Sequence, residues 1–140
     1  MNRISVSPLN KNFSSSVILV KNTTKKILSL LKKDNCCIEI FLVSNLAIKK
    51  INRVWRKKNK VTNVLSFCEP KNFIHSPSKF NFLGEIYISL DYVRSHSQSI
   101  EHMLVHGILH LLGYDHETIK DQKNMERIED RILKKIFSKF

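Results

Sequence analysis

Residues 106–116 read His-Gly-Ile-Leu-His-Leu-Leu-Gly-Tyr-Asp-His, and they decide how this part of the chain folds. A helix is predicted from about 98 to 112, and its apolar residues surround it on nearly all sides, which predicts that it is buried: Met103, Leu104, Val105, Ile108, Leu109, Leu111 and Leu112. His106 and His110 are four residues apart, so a helix places both imidazoles on one face. Gly113 suits the position after a helix end, because glycine adopts the left-handed conformation without steric cost.

A chain reversal at Gly113 can return His116 toward the two helical histidines. Three imidazoles with an open fourth position are typical of catalytic zinc sites, since structural sites fill all four positions. We therefore predict one zinc ion per chain, held by His106, His110 and His116. The alternative is a set of core histidines bonded to backbone carbonyls. The other histidines have no ligand spacing and are expected to be structural or exposed: His75, His96 and His102.

The spacing HxxxHxxGxxH is also that of the metzincin proteases, in which a Glu follows the first His and acts as the general base. Gly107 occupies that position here. A peptidase with this sequence would lack the general base, so the pattern does not favour the interpretation as a protease. Glycine inside a helix costs about 1 kcal/mol relative to alanine, so we expect Gly107 to face the strands or other backbone at close range.

The remaining pattern predicts the order β-α-β-α-β-β-α-α in a single α+β domain spanning residues 1–140. A small mixed four-stranded sheet would pack with about four helices, and the metal site would lie on a buried helix in the C-terminal half. The predicted strands are 1–10, 36–43, 64–67 and 83–90, and the predicted helices are 14–33, 45–56, 98–112 and 117–140. Ser44 is the predicted N-cap of the second helix, Asp91 caps a short helical turn, and residues 68–82 form an irregular loop.

The 140 residues carry 24 Lys+Arg and 12 Asp+Glu, a net charge of +12. Such a surplus favours a polyanionic partner, either nucleic acid or an anionic membrane. Seven basic residues and no acidic one lie between Lys49 and Lys60, and we call this segment the basic cluster. Together with Trp55 it could bind a phosphate backbone. The alternatives are a solvated helix face followed by a loop, and compositional bias in a Lys-rich chain with a single Ala.

The three cysteines are an odd number without CxxC spacing, which fits neither a disulfide framework nor a Cys-rich zinc site. They indicate a reducing compartment. Residues 1–10 contain no apolar core of signal-peptide length, and no apolar run is long enough to span a bilayer. We expect a cytoplasmic protein that uses neither a membrane nor a dinucleotide cofactor.

Three blocks of the sequence resemble the YbeY family, the bacterial rRNA maturation factors regarded as metal-dependent endoribonucleases. The histidine block at 106–116 is similar to the family signature. Residues 51–67 resemble its Leu-Asn-x-x-aromatic-Arg segment followed by Thr-Asp-Val-Leu-Ser-Phe, and residues 83–89 resemble its Leu-Gly-Asp-Ile-x-Ile-Ser strand. Asn63 and Glu85 stand where the family has Asp. If the first Asp orients a basic residue or a water molecule, Asn63 would weaken that role.

The resemblance implies a zinc-dependent, single-strand-specific endoribonuclease that acts in 16S rRNA 3′-end maturation and ribosome quality control, with the small ribosomal subunit as partner. It implies that Arg56 is catalytic and holds the scissile phosphate in the metal's cleft, where the metal acts as a Lewis acid or activates water. Asp115 could accept a proton or hold a metal ligand in place by a hydrogen bond. Alternatively, it has a structural role in the turn beside Tyr114. The second reading is a ribosome-associated RNA-binding factor with a mainly structural metal. The basic cluster supplies the RNA-binding candidates Arg53, Lys57, Lys58 and Lys60.

Overall fold

The computed structural model describes residues 1–69 and 80–138. Its elements begin with a strand, and strands and helices then alternate along the first half of the chain. A short 3₁₀ helix, Lys11–Ser16, leads into the first α-helix. The strands are β1 (Arg3–Pro8), β2 (Cys36–Val43), β3 (Val64–Cys68) and β4 (Asn81–Ser89). The α-helices are α1 (Val17–Leu30), α2 (Asn45–Arg56), α3 (Leu90–Ser95), α4 (Ile100–Leu111) and α5 (Ile119–Phe137).

The four strands form one mixed sheet in the order β1-β2-β4-β3. Strands β1 and β2 pair in parallel, as do β2 and β4, whereas β3 pairs antiparallel with β4. Helix α1 makes the crossover that a parallel β1–β2 pair requires. Alternate residues of the two central strands are fully buried, among them Ile38, Ile40, Ile86 and Ile88. The α+β class and the mixed four-stranded sheet expected from the sequence are confirmed.

Helix α4 lies at the centre of the molecule and contacts α1, α5, β3 and β4. Its residues Leu104, Val105, Ile108 and Leu109 have no exposed surface. Neighbours on most sides explain why this helix is apolar nearly all round. The Ser99 side chain caps its first turn by accepting a hydrogen bond from the His102 N–H at 2.9 Å.

Several boundaries differ from the sequence prediction because side chains outside the periodic pattern set the ends. Asp91 was expected to cap α3, but Ser89 precedes that helix and Asp91 lies within its first turn. Helix α5 begins after Thr118, whose hydroxyl accepts a hydrogen bond from the Asp121 N–H at 3.0 Å, so Glu117 remains outside it.

The predicted loop over residues 68–82 is shorter than expected at both ends. Cys68 still belongs to β3, and β4 already begins at Asn81, which pairs with Cys36. Residues 70–79 of that loop lie outside the described part of the chain. All three cysteines are free. Within residues 1–69 and 80–138, no helix is both long enough and apolar enough to cross a membrane.

Gly107 sits where α4 comes closest to the sheet. A Cβ atom added to it would lie 3.1 Å from Ser66 Oγ and 3.2 Å from Ile86 Cδ1. The Ser66 hydroxyl also donates a hydrogen bond to the Gly107 carbonyl at 3.3 Å. The expected close approach of Gly107 to the strands is therefore confirmed, and this packing offsets the cost of glycine within a helix.

We expect Gly107→Glu to destabilise the protein and to produce no peptidase. The new side chain would start between two strands, which overpacks the core and buries a carboxylate without a partner. Thermal unfolding followed by circular dichroism should show a melting temperature lower by about 5–10 °C. Gly107→Ala, which adds one methyl group, should lose less. A Gly107→Glu protein that unfolds at the parent temperature and cleaves peptides would contradict this interpretation.

Candidate metal centre

The two histidines of α4 converge at their Nε2 atoms. His106 Nε2 and His110 Nε2 are 3.1 Å apart, and both side chains are half-buried. In a tetrahedral zinc site with bonds of 2.0–2.1 Å, two ligand nitrogens are separated by about 3.3 Å. The pair can therefore share one ion with almost no rearrangement.

His116 joins this pair through the turn that ends α4. Gly113 has a φ of +99°, and the Tyr114 N–H donates to the Leu109 carbonyl at 3.0 Å, so the chain reverses as expected. The His116 ring centre lies 5.1 Å from that of His110 and 5.9 Å from that of His106. One ligand nitrogen from each residue lies within 4.8 Å of the other two. These three residues, called the histidine group below, could hold a metal ion.

A buried carboxylate from α5 fixes the orientation of the first histidine. Glu129, which is 7% exposed, places Oε1 3.3 Å from His106 Nδ1 and Oε2 2.7 Å from His102 Nε2. A carboxylate facing Nδ1 requires the proton on that nitrogen, which leaves the Nε2 lone pair directed at the group. This is the carboxylate–histidine arrangement that supports metal ligands in proteins.

The pKa shifts at the site favour an ionised Glu129 carboxylate and a neutral His110 imidazole. Burial alone would raise the pKa of Glu129, but the hydrogen bonds from His106 and His102 outweigh it, and the pKa is lowered from its ordinary value. Burial lowers the pKa of His110, and the neighbouring His106 and His116 lower it further. A neutral imidazole has a free lone pair, which metal binding requires.

Sequence analysis missed Glu129 and gave His102 no role near the site. A signal was present, because Met125, Glu129 and Ile132 follow one another at helical spacing and all three are buried. A carboxylate within a buried stripe needs a partner. His102 lies one turn before His106 on α4, so both reach the same carboxylate.

Of the other histidines that the structure describes, His96 and His102 do not join the histidine group. His96 is exposed, and its ring stacks on Tyr92 with centroids 3.8 Å apart. This agrees with the surface role expected for it. His75 lies outside the described residues.

Two acidic residues discussed from the sequence also have local partners. The Asp115 carboxylate accepts a hydrogen bond from the Glu117 N–H at 3.3 Å, which corresponds to the turn role. Glu85 accepts a hydrogen bond from the Tyr87 hydroxyl at 2.6 Å. Neither belongs to the histidine group.

The side-chain amide of Asn63 makes two hydrogen bonds that hold the start of β3 in place. Its Oδ1 accepts from the Val64 N–H at 2.7 Å, and its Nδ2 donates to Gln98 Oε1 at 3.1 Å. An aspartate would lose the second bond, because a carboxylate has no donor. Asn63 also lies beside His106 and His116, and it ties the start of β3 to the segment before α4.

A groove of about 780 Å³ opens at the histidine group and is lined by α2, the following loop and β3. Arg56 ends α2 inside this groove, where its guanidinium donates to the Ser66 carbonyl at 2.8 Å and lies 5.2 Å from the Phe67 ring centre. Arginine has five donor hydrogens, so others remain for a ligand. Lys58 and Lys60 also line the groove. The other two RNA-binding candidates are exposed but outside its wall: Arg53 and Lys57.

Asn52 holds the basic loop in place, a role that sequence analysis did not find. It is 3% exposed, and its Nδ2 donates to the Lys60 carbonyl at 3.0 Å. Lys57, with a φ of +61°, ends α2 just before this loop. A buried asparagine within a helix is the signal that could have indicated this contact.

Known proteins resemble this chain over most of its length. The family model described as Endoribonuclease YbeY matches residues 7–137. The chain belongs to the YbeY family. A protein named Endoribonuclease YbeY from Sulfurihydrogenibium sp. (strain YO3AOP1) is 41% identical over 140 residues, covering 91% of this chain and 90% of that protein. The protein of the same name from Pelagibacter ubique is 41% identical over 138 residues, covering 93% and 86%.

A solved structure agrees with this YbeY assignment. The solution structure of a protein from Thermotoga maritima matches with a TM-score of 0.60 and 27% identity, covering 98% of this chain and 89% of that one. The family suggested by the three sequence blocks is therefore confirmed. The histidine block of this YbeY chain is also the segment whose side chains converge in space.

We expect Glu129→Gln to weaken metal binding about 10–100-fold, because an amide cannot accept hydrogen bonds from both His102 and His106 as a carboxylate does. Competition with a chromophoric chelator measures the affinity. Asp130→Asn, on the same helix but exposed and outside the cavities that reach the histidine group, is the matched control. Alanine at all three positions of the histidine group should abolish binding. Unchanged affinity in Glu129→Gln would show that Glu129 does not support the site.

Proposed function

We propose that this chain is a zinc-dependent, single-strand-specific endoribonuclease that acts in 16S rRNA 3′-end maturation and ribosome quality control. One zinc ion per chain would bind His106, His110 and His116. The observation that carries the proposal is the placement of Arg56 and the histidine group in one groove. Membership of the YbeY family supports an RNA endonuclease.

The donor set supports zinc. Three imidazoles converge, and within residues 1–69 and 80–138 no Cys, Asp or Glu completes the group. Three protein ligands are typical of a catalytic zinc site, whereas a structural site would have four. When bound, zinc would act as a Lewis acid on a phosphate oxygen or lower the pKa of a water molecule.

Arg56 is the proposed catalytic residue. The hydrogen bond to the Ser66 carbonyl and the Phe67 ring fix its guanidinium before any ligand arrives. A guanidinium is always charged and binds phosphate through two parallel hydrogen bonds. Arg56 would therefore hold the scissile phosphate against the histidine group and stabilise the negative charge that develops there.

The basic cluster is the proposed binding surface for the RNA backbone, with the small ribosomal subunit as partner. Lys58 and Lys60 would bind phosphates inside the groove, and Arg53 and Lys57 would bind them at its edge. We place this activity in the cytoplasm, where ribosomal RNA and conditions that keep the cysteines reduced occur together.

A second candidate is a ribosome-associated RNA-binding factor with a mainly structural metal. One observation favours it: the described wall of the groove contains no carboxylate that could act as a general base. Glu129 is bonded to two histidines and Asp115 to a turn N–H. The two candidates differ in what Arg56 does.

Arg56→Ala separates the two candidates. For a nuclease we expect single-turnover cleavage of a single-stranded RNA to fall at least 100-fold, while the dissociation constant changes only a few-fold. Arg127→Ala, an exposed arginine on α5 outside the groove wall, should leave the cleavage rate near that of the parent. If Arg56→Ala instead loses affinity and the parent shows no cleavage, the binding factor is the correct interpretation.

RNA binding should weaken steeply with salt. Neutralising about six phosphates on single-stranded RNA gives a slope of log affinity against log salt of about −4. Replacing both Lys58 and Lys60 by Gln should make this slope shallower by about 1.4. Fluorescence anisotropy over a salt series measures it. A nearly flat slope would leave compositional bias as the explanation of the +12 charge.

A further inference from the structure

We propose that Trp55 and Phe67 form a nucleobase-stacking subsite beside the histidine group, where a base of the single-stranded RNA next to the scissile phosphate lies on the indole face. The subsite rests on the proposed function, because it requires RNA in the groove. It adds recognition of unpaired bases to a groove whose other contacts are with phosphates.

Trp55 is largely exposed although its side chain is large and mostly apolar, and it lies in the groove. It is 70% exposed at the end of α2, and it lines the same groove as the histidine group. Leu46 and Val54 on the same helix are 80% and 49% exposed, but neither lines the groove. An exposed aromatic ring in a basic, concave surface is the usual form of a single-strand stacking platform.

A row of aromatic rings supports the indole from one side. Phe41 of β2 stacks on Tyr87 of β4 at 4.8 Å, and Tyr87 meets Phe67 of β3 edge-on at 5.8 Å. Phe67 in turn meets Trp55 at 6.3 Å with an interplanar angle of 64°. An edge-to-face contact engages at most one face of the indole, so the other remains available. The first three rings are half-buried, and only Trp55 is largely exposed.

The phosphate-binding group lies next to the indole in the chain and in space. Arg56 follows Trp55 directly, and both contact the Phe67 ring. A phosphate held by Arg56 therefore has its own nucleoside, or the next one, within reach of Trp55. Lys58 and Lys60 line the same groove, and its described wall contains no acidic residue. This charge fits a polyanion with planar bases, rather than a peptide segment selected by an apolar surface alone.

Intrinsic tryptophan fluorescence reports on this subsite without a label on the protein, because Trp55 is the only tryptophan in the sequence. The probe is a single-stranded 2′-O-methyl phosphorothioate oligomer, which resists hydrolysis and keeps the backbone charge. An oligomer of equal length without bases carries the same charge, and a duplex hides the base faces. All three are titrated into the metal-loaded, full-length chain while tryptophan emission and anisotropy of a labelled oligomer are recorded.

We expect the base-containing single strand to quench Trp55 emission, and the abasic oligomer and the duplex to leave it nearly unchanged. Trp55→Ala should weaken binding of the base-containing oligomer about tenfold and leave the abasic affinity unchanged, because base–aromatic stacking is lost. Trp55→Phe should retain most of the affinity. Leu46→Ala, equally exposed on the same helix but outside the groove, should match the parent.

Two outcomes would overturn the subsite while leaving the proposed function intact. The first is a single strand that binds with the expected salt dependence but leaves the emission and the Trp55→Ala affinity unchanged. The second is a duplex that quenches Trp55 emission as strongly as the single strand does. Failure of every oligomer to bind would instead contradict the proposed function, and the stacking subsite with it.

Discussion

The contact between Gly107 and strands β3 and β4 sets the geometry on which the candidate site depends. Ser66 connects the two sides of the groove, because its hydroxyl donates to the Gly107 carbonyl at 3.3 Å and its own carbonyl accepts from Arg56 at 2.8 Å. One residue of β3 therefore fixes the helix of the histidines relative to the guanidinium. A larger residue at position 107 would move α4 away from the strand, and the distance between the histidine group and the Arg56 guanidinium would change with it.

On the other side of α4, a buried hydrogen-bond network of Glu129, His102 and His106 fixes the position of the helix. Removing the Glu129 carboxylate from water is costly, and a carboxylate in this position is stable only because two imidazoles bond to it. An apolar residue would pack α5 onto α4 at lower cost. The charge is explained by its effect on His106, because the carboxylate accepts a hydrogen bond from Nδ1–H and so keeps the proton on that nitrogen. The cost of burying Glu129 therefore leaves the lone pair of His106 Nε2 directed at the histidine group.

The sequence could predict the elements and the histidine group because both depend on local spacing. The four-residue separation of His106 and His110 and the glycine at 113 specify their geometry within a few turns of chain. The contacts that Glu129 and Ser66 make could not be found in this way, since their partners lie 23 and 41 residues away in sequence. The start of α5 at Thr118 also escaped, because a single capping side chain decides it rather than a periodic pattern.

The absence of a free carboxylate from the described groove wall argues against peptide hydrolysis, and it does so for the proposed nuclease and for the RNA-binding factor alike. Peptide hydrolysis by a histidine-bound metal relies on a Glu beside the first histidine to take a proton. A phosphodiester is already anionic, so its main requirement is positioning and neutralisation of charge on the phosphate oxygens. Gly107 faces the sheet and cannot supply a base, while Arg56 and the basic loop supply positive charge. Under the proposed function, the three-histidine spacing suits RNA because Gly107 packs closely on the sheet where a protease has its carboxylate, and α2 adds the cation Arg56.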